Sequence, residues 1–296
     1  MKTKLITLFL LLFSAFICLG QKLSPYIEVG TVEQPIEVVA KNVKEVLESN
    51  NFQVLGSYNV SDKESLKVIA FTKEYLKKAL VKVKDRGALG AVMKVGLEFK
   101  EGKTIISYTN PEYILRAYLP KEFAVHKALV KEFSGNIKQA FSAFGNEFKS
   151  FGGSIKAEKL GKYHYKIMMP YFTDPISLNE FNSFEDGYTI ISNNLTSKKG
   201  KTEEVYRLVD KDQKVAVFGI GLKNSEEGEP HFLPKIGESH LAALPYEIIL
   251  QGNEVTMLHG KYRIALHWPD LTMGTFMKIM STPGDIEDML KAVCQK

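Results

Sequence analysis

Four of the six histidines fall within residues 231–267, and imidazole is the side chain best suited to chemistry near neutral pH. They are His231, His240, His259 and His267, whereas His126 and His164 lie earlier in the chain. Three converging imidazoles could hold a Zn or Cu ion, and one imidazole beside a carboxylate could act as a general base. Their spacings of 9, 19 and 8 residues match no standard zinc pattern, so scattered surface or packed histidines are the alternative.

Carboxylates near these histidines could complete a metal site or the acid–base pair of a hydrolase-like enzyme. The candidates are Glu227, Glu229, Glu238 and Asp270. Residues 224–240 form a long polar segment with Gly and Pro, which is typical of a functional loop. We therefore expect any chemistry to depend on this segment.

A methionine stripe lies close to the last histidine. Met273, Met277 and Met280 share one face if this stretch is helical. Thioethers bind Cu(I) in oxidising compartments, but such a stripe is also typical of core packing, and both interpretations stay open.

No residue pattern names a cofactor. The sequence contains no P-loop, dinucleotide fingerprint, HExxH motif or nucleophile elbow, and no pair of cysteines at metal-ligand spacing. Gly219 and Gly221 are a lone glycine pair beside a predicted strand, which indicates a structural role. We expect no cofactor, with a metal ion at the histidines as the alternative.

The first 20 residues have the layout of a secretory signal sequence. Lys2 and Lys4 precede an apolar run at residues 5–19, and no acidic residue occurs before Glu28. The run is shorter than the roughly 20 residues that a membrane-spanning helix needs. The sequence therefore predicts an exported protein, periplasmic or secreted, without a transmembrane segment after cleavage.

Cleavage before Gln21 would follow small residues at Cys18 and Gly20. Retention as a membrane anchor and lipidation at Cys18 are the alternatives. Cleavage would leave 37 basic and 34 acidic residues, a balance that does not favour nucleic acid as a partner. Cys294 would then be the remaining thiol, near a terminus that we expect to fray.

The chain is predicted to contain two copies of one pattern of strands and helices. In the first half, the predicted strands are residues 26–32, 52–60, 66–72, 92–100 and 104–108, and the predicted helices begin at Pro35 and Glu74. In the second half, the predicted strands are residues 163–171, 205–209, 214–220, 244–250, 255–257 and 262–267. Asp174-Pro175 is predicted to begin a helix and residues 286–293 to form another, while Trp268-Pro269 takes the place of Asn110-Pro111.

These elements predict an α+β fold with antiparallel sheets and helices on one face. The predicted organisation is a signal sequence at residues 1–20, one unit at 21–120, a connecting helical region at 121–153 and a second unit at 154–296. Phenylalanines recur at helical spacing in the connecting region, which favours an amphipathic helix that joins the two sheets. A chance likeness of two ordinary α+β units is the alternative to duplication.

Part of the first half resembles a known family. The features are the amphipathic helix, the segments NFQVLG at 51–56, LKVIAFT at 66–72 and LGAVMKV at 89–95, and a hairpin that ends in YTNP at 108–111. Through them, residues 34–119 resemble the domain of unknown function 302 family, although Ala91-Val92 replace its usual proline. The second half resembles it more weakly, around residues 243–247 and 285–293. The resemblance implies a compact α+β unit that pairs side by side, and it supplies no catalytic residue.

The sequence thus favours a binding protein over an enzyme. We expect a small ligand or a protein partner to bind between the two units, where clefts are common. A metal-dependent or hydrolase-like enzyme that uses the second-half histidines is one alternative. A structural or interaction protein of the cell envelope is another, and it should expose a large apolar patch.

Overall fold

The fold is α+β, as predicted, and a computed structural model describes residues 20–296 of the chain. The predicted signal sequence, Gly20 apart, lies outside the described residues. The first half contains β1 (Lys22–Leu23), β2 (Tyr26–Val32), α1 (Ile36–Ser49), β3 (Gln53–Asn59), β4 (Leu66–Thr72), α2 (Glu74–Leu80), β5 (Met93–Lys100), β6 (Lys103–Thr109), α3 (Pro111–Tyr118), α4 (Phe123–Phe141) and β7 (Lys149–Phe151). Short 3-10 helices lie at Val60–Asp62 and Gly87–Ala91.

The second half repeats this alternation. It contains β8 (Ile155–Lys156), α5 (Ala157–Leu160), β9 (Ile176–Glu180), α6 (Phe184–Thr196), β10 (Thr202–Asp210), β11 (Val215–Leu222), α7 (Glu229–Ile236), a 3-10 helix (Glu238–Ala243), β12 (Tyr246–Gln251), β13 (Glu254–Met257), α8 (Gly260–His267), α9 (Met273–Met277) and α10 (Thr282–Val293). Among residues 20–296, no helix combines the length and the apolar character needed to cross a bilayer.

The five strands of the second large sheet follow the same order as five strands of the first, which β7 extends by a sixth. The first runs β3-β4-β5-β6-β2-β7 and the second runs β10-β11-β12-β13-β9, with antiparallel neighbours throughout. β-Bulges also occur at corresponding places. They lie at Val29 on β2 and Leu178 on β9, and at Leu55 on β3 and Val205 on β10. Because a bulge bends its strand and increases the local twist, the two sheets are deformed in the same way.

The helices of the first half pack on its sheet through apolar faces. Ile36, Val39, Val43 and Leu47 fall on one face of α1 and are buried against the first sheet. Burial of each such side chain stabilises the fold by about 1.5–3 kcal/mol. Helix α4 precedes β7, the last strand of the first sheet, and packs on α1 and α3. Its Phe133 packs against aromatic rings of the first half.

Three predicted elements of the second half are wrong. Residues 163–171 are irregular, and the strand comes later, at Ile176–Glu180. Asp174-Pro175 therefore precedes a strand, and the helix begins after Ser183, whose hydroxyl accepts from the Asp186 backbone N–H at 3.1 Å. Residues 262–267 belong to helix α8. His259 accepts from the Lys261 N–H and so caps this helix, and every residue of the helix except Lys261 is buried.

Each half packs a 3-10 helix against the sheet of the other half. The 3-10 helix Glu238–Ala243 of the second half packs on β4, β5 and β6, and the 3-10 helix Gly87–Ala91 of the first half packs on β11 and β12. The edge strands β3 and β10 also touch, so closely that a Cβ on Gly56 would lie 1.9 Å from the Val205 carbonyl oxygen. One continuous apolar core therefore runs through both halves.

The C-terminus does not fray as predicted. Cys294 is fully buried, and its carbonyl oxygen accepts from the Asn179 side chain at 2.6 Å. Asn194 donates to the carbonyls of Val293 and Gln295. Burial raises the pKa of the Cys294 thiol to about 12, which makes it a poor nucleophile.

Candidate functional site

Two of the four predicted histidines lie together at the junction of the halves. His240 comes from the 3-10 helix Glu238–Ala243, and His267 ends helix α8. The ring of Tyr26 lies 5.2 Å from that of His240 and 6.4 Å from that of His267. Trp268 contacts both imidazoles, stacked on His240 at 5.7 Å. The pair thus forms one side of an aromatic cluster.

Both ring nitrogens of His267 are engaged by tyrosines. Tyr26 Oη lies 3.2 Å from Nδ1 and donates to the His267 carbonyl, while Tyr118 Oη lies 3.1 Å from Nε2. We assign a neutral ring in which Nδ1–H donates to Tyr26 and Nε2 accepts from Tyr118, because this tautomer satisfies every group. Burial and the nearby Arg263 guanidinium hold the pKa of His267 well below its usual value. This histidine is occupied as a structural element.

His240 is the histidine that meets a carboxylate. Its Nε2 lies 3.5 Å from Asp270 Oδ1, and its Nδ1 lies 3.3 Å from the hydroxyl of the preceding Ser239. Burial lowers the pKa of His240, and the Asp270 carboxylate opposes that effect. The contact to Asp270 is long for a hydrogen bond, and a serine next in the chain cannot approach the imidazole as a free nucleophile would. The arrangement gives no argument for hydrolysis.

His231 and His259 make separate local contacts. His231 Nε2 lies 2.6 Å from Lys235 Nζ one turn along α7, and His259 Nδ1 caps α8. Burial lowers the pKa of His259. Within residues 20–296, no three His, Cys, Asp or Glu side chains are placed to hold one metal ion.

The other predicted carboxylates bind their own neighbours. Glu227 accepts from Asn224, and Glu238 pairs with Lys63 of the first half. Glu229 is fully buried and accepts from the Tyr58 hydroxyl at 2.9 Å. Burial raises the pKa of Glu229 to about 7, although its hydrogen bonds favour the ionised form. Residues 224–240, predicted as a loop, thus contain α7 and the start of a 3-10 helix, and Glu229 and Glu238 connect the halves instead of pairing with histidine.

A buried ionic cluster lies at the same junction, and our sequence analysis missed it. Glu247 on β12 pairs with Lys94 on β5 and with Arg263 on α8, and Tyr206 donates to it at 3.2 Å. The Arg263 guanidinium also lies 3.7 Å from the ring centre of Tyr246. Buried charges persist when they are paired and hydrogen-bonded. Single charges inside apolar strand sequences were the signal that could have revealed Lys94 and Glu247.

An apolar groove lies on the outer side of Trp268. It has a volume of about 230 Å³. Its walls are Tyr165, Lys166, Ile167 and Met169 from the irregular segment, Lys261, Ile264, Ala265 and Trp268 from helix α8 and its end, and Leu271, Met273 and Phe276 beyond. Two lysines line it and no acidic residue does. The aromatic cluster of the two histidines lies behind the Trp268 wall.

The methionine stripe is exposed, and its first member, Met273, lines this groove. Met273, Met277 and Met280 are 50%, 58% and 62% exposed, so the interpretation as core packing is wrong. Helix α9 ends at Met277, which leaves Met280 outside it. The flexible thioethers are presented to solvent, where they suit an adaptable apolar contact.

A larger cleft of about 780 Å³ lies on the first half. Lys78, Lys82, Lys84 and Lys121 line it together with Tyr118 and His126. The smaller groove is the better candidate for a ligand because apolar walls with a few convergent polar groups are what small-molecule sites share. A cavity of about 140 Å³ also lies between the first sheet and the 3-10 helix Glu238–Ala243.

No family model matches the chain, and no match was found among the curated proteins or the solved structures.

Proposed function

We propose that the chain is a binding protein whose groove beside Trp268 takes a small amphiphile with an apolar body and an anionic end. The observation that carries this proposal is the composition of the groove. Its walls are apolar and aromatic apart from Lys166 and Lys261, and it contains no acidic side chain. An acyl chain would bury apolar area against these walls, and its carboxylate would complement the two ammonium groups.

The ligand site that we propose lies along one unit. The sequence predicts a cleft between the two units, and the cavity of about 140 Å³ between the first sheet and the 3-10 helix Glu238–Ala243 lies there, smaller than the groove and with Glu28 and Glu98 in its walls. The groove is formed by α8, α9 and the irregular segment of residues 163–171 in the second half. Its Trp268 wall packs on His240 of the junction.

Binding accounts for the geometry better than catalysis does. Both nitrogens of His267 are engaged by tyrosines, and His240 Nε2 lies 3.5 Å from Asp270. A general base needs a substrate within hydrogen-bond reach, and these rings face the protein interior. We therefore propose a non-enzymatic role without a cofactor.

Export, duplication and family membership complete the proposal. The basic head and apolar run of residues 1–20 support an exported, periplasmic or secreted protein. The common strand order and corresponding bulges of the two sheets support an internal duplication. The resemblance to the domain of unknown function 302 family implies that two such units pair side by side. We propose that both halves belong to this family.

Titration of tryptophan fluorescence tests the proposed ligand class. Trp268 is the single tryptophan of the chain and lines the groove, so a bound chain should change its emission. We expect saturable binding of dodecanoate below its micellar concentration. Reversal of both groove lysines, Lys166→Glu with Lys261→Glu, should weaken dodecanoate binding about tenfold or more and leave dodecanol unaffected.

A matched double reversal at Lys82 and Lys84 serves as the control, since both lysines are exposed on the first half. This variant should bind dodecanoate as the wild type does. The proposal is overturned if the wild-type emission does not respond to dodecanoate, or if both double variants behave alike.

A further inference from the structure

The two segments that line the groove carry most of the exposed large apolar side chains. Within residues 20–296, eight large apolar side chains are exposed, and six of them lie in two short segments. These six, which we call the apolar rim, are Ile167, Met168, Tyr171, Met273, Met277 and Met280. Ile167 and Met168 are 88% and 97% exposed, and a cluster of this kind marks an interaction surface.

The charges beside the apolar rim have one sign within its two segments. Residues 162–171 and 271–280 carry Lys162, Lys166 and Lys278, all exposed, and no acidic residue. Lys261 adds a fourth ammonium group at the groove. Asp270 and Asp174 are the nearest acidic residues in the chain. An apolar surface bordered by lysines is complementary to a bilayer with anionic headgroups, which attract such lysines electrostatically.

We infer that the apolar rim docks on an anionic lipid bilayer and that the groove draws its amphiphile from that bilayer; the second part rests on the proposed function. The rim is carried by an irregular segment and by the end of the short helix α9, so it offers no sheet edge or long helical face to a partner protein. Two of its side chains, Ile167 and Met273, are also walls of the apolar groove. Insertion of these side chains among headgroups would bring the groove to the acyl chains.

Vesicle flotation tests the docking. The wild type should float with vesicles of phosphatidylcholine and phosphatidylglycerol, less with pure phosphatidylcholine, and less at high salt, because salt screens the lysines. Met168→Asp with Met277→Asp should weaken binding about tenfold or more, since both side chains are exposed and their replacement adds charge to the inserted surface. Neither residue lines the groove.

Val38→Asp is the matched control, because Val38 is 43% exposed on α1 of the first half, where the neighbouring pocket contains no rim residue. It should float as the wild type does. The inference is overturned if the wild type stays with the soluble fraction, if the methionine variant floats equally well, or if anionic lipid makes no difference. A partner protein would then be the better occupant of the rim.

Dodecanoate titration separates this inference from the proposed function. The methionine variant should retain dodecanoate binding, which also shows that it is folded. Flotation without dodecanoate binding would support the docking and overturn the loading of the groove. Dodecanoate binding without flotation would overturn the docking and leave the groove proposal standing.

Discussion

Glu229 is a buried carboxylate that joins the two halves. Its oxygens accept from the Tyr58 hydroxyl at 2.9 Å and from the backbone N–H groups of Leu222 and Ser61 at 3.3 and 3.4 Å. It lies two residues before His231 in the chain, which made it a candidate partner for histidine. Its role in the structure is to hold α7 against the first half.

Replacement Glu229→Gln should remove a pH dependence of stability. Burial raises the folded-state pKa of Glu229 to about 7, from an ordinary value of 4.5. The folded protein therefore binds this proton more tightly than the unfolded chain does. The protonated Glu229 thus makes its full contribution to the free energy of unfolding below pH 4.5, and this contribution is lost as the pH rises toward 7. The loss is about 3 kcal/mol across this window. Denaturant unfolding from acid to neutral pH should show a fall for the wild type and a flatter profile for the variant; parallel profiles would contradict this.

The candidate residues show what sequence can reveal at this scale. The histidines were visible as a group, and two of them do lie together. Their partners Tyr26 and Tyr118 come from the other half and are 241 and 149 residues away from His267 along the chain. No local spacing reports such a contact. The groove was missed because its lysines and apolar walls come from two separate segments.

Among the helices and strands, the residues at helix N-termini account for the errors at α8 and α3. Every residue of the segment 262–267 is buried, the polar Arg263 and His267 included, so the segment shows no apolar 3.6-residue period and was predicted as a strand. The cap that marks it as a helix is His259, which is not among the usual capping residues. In the first half, Asn110-Pro111 is the N-cap and first turn of α3, although the sequence analysis took it as the end of a hairpin.

The Asn110 cap should be measurable in α3. Its side chain accepts from the Glu112 N–H at 3.2 Å and donates to the Ser24 carbonyl at 2.9 Å. Asn110→Ala removes both bonds and should lower the free energy of unfolding by about 1–2 kcal/mol. Asn110→Asp keeps the cap acceptor and should lose less. Thermal unfolding of the three proteins checks the order, and an alanine variant as stable as the wild type would refute the role of the cap.

At the scale of the whole molecule, the halves are held by close backbone approach as well as by buried charge. The strand–helix–strand order of each half was predictable, because periodicity and turn residues report it locally. The pairing of the halves was not, since it depends on contacts such as Gly56 with Val205 and Lys94 with Glu247. These residues are distant in sequence and ordinary in type.

Gly56→Ala should loosen this junction. The added Cβ would lie 1.9 Å from the Val205 carbonyl oxygen, so β3 and β10 must move apart. We expect a loss of about 2–4 kcal/mol in the free energy of unfolding. Gly135→Ala on α4 is the control, because a Cβ there meets nothing within 4 Å and should stabilise the helix by up to about 1 kcal/mol. Equal stability of the Gly56 variant and the wild type would show that the strands do not approach in this way.

A brominated ligand tests whether the groove beside Trp268 is the binding site. Bromine quenches tryptophan emission on contact, and Trp268 is the single tryptophan of the chain. Dodecanoate that carries bromine near its methyl end should quench Trp268 at saturation, and unlabelled dodecanoate should restore the emission by competition. Dodecanoate that binds, as followed by calorimetry, while its brominated form leaves the emission unchanged would place the ligand elsewhere and contradict the account.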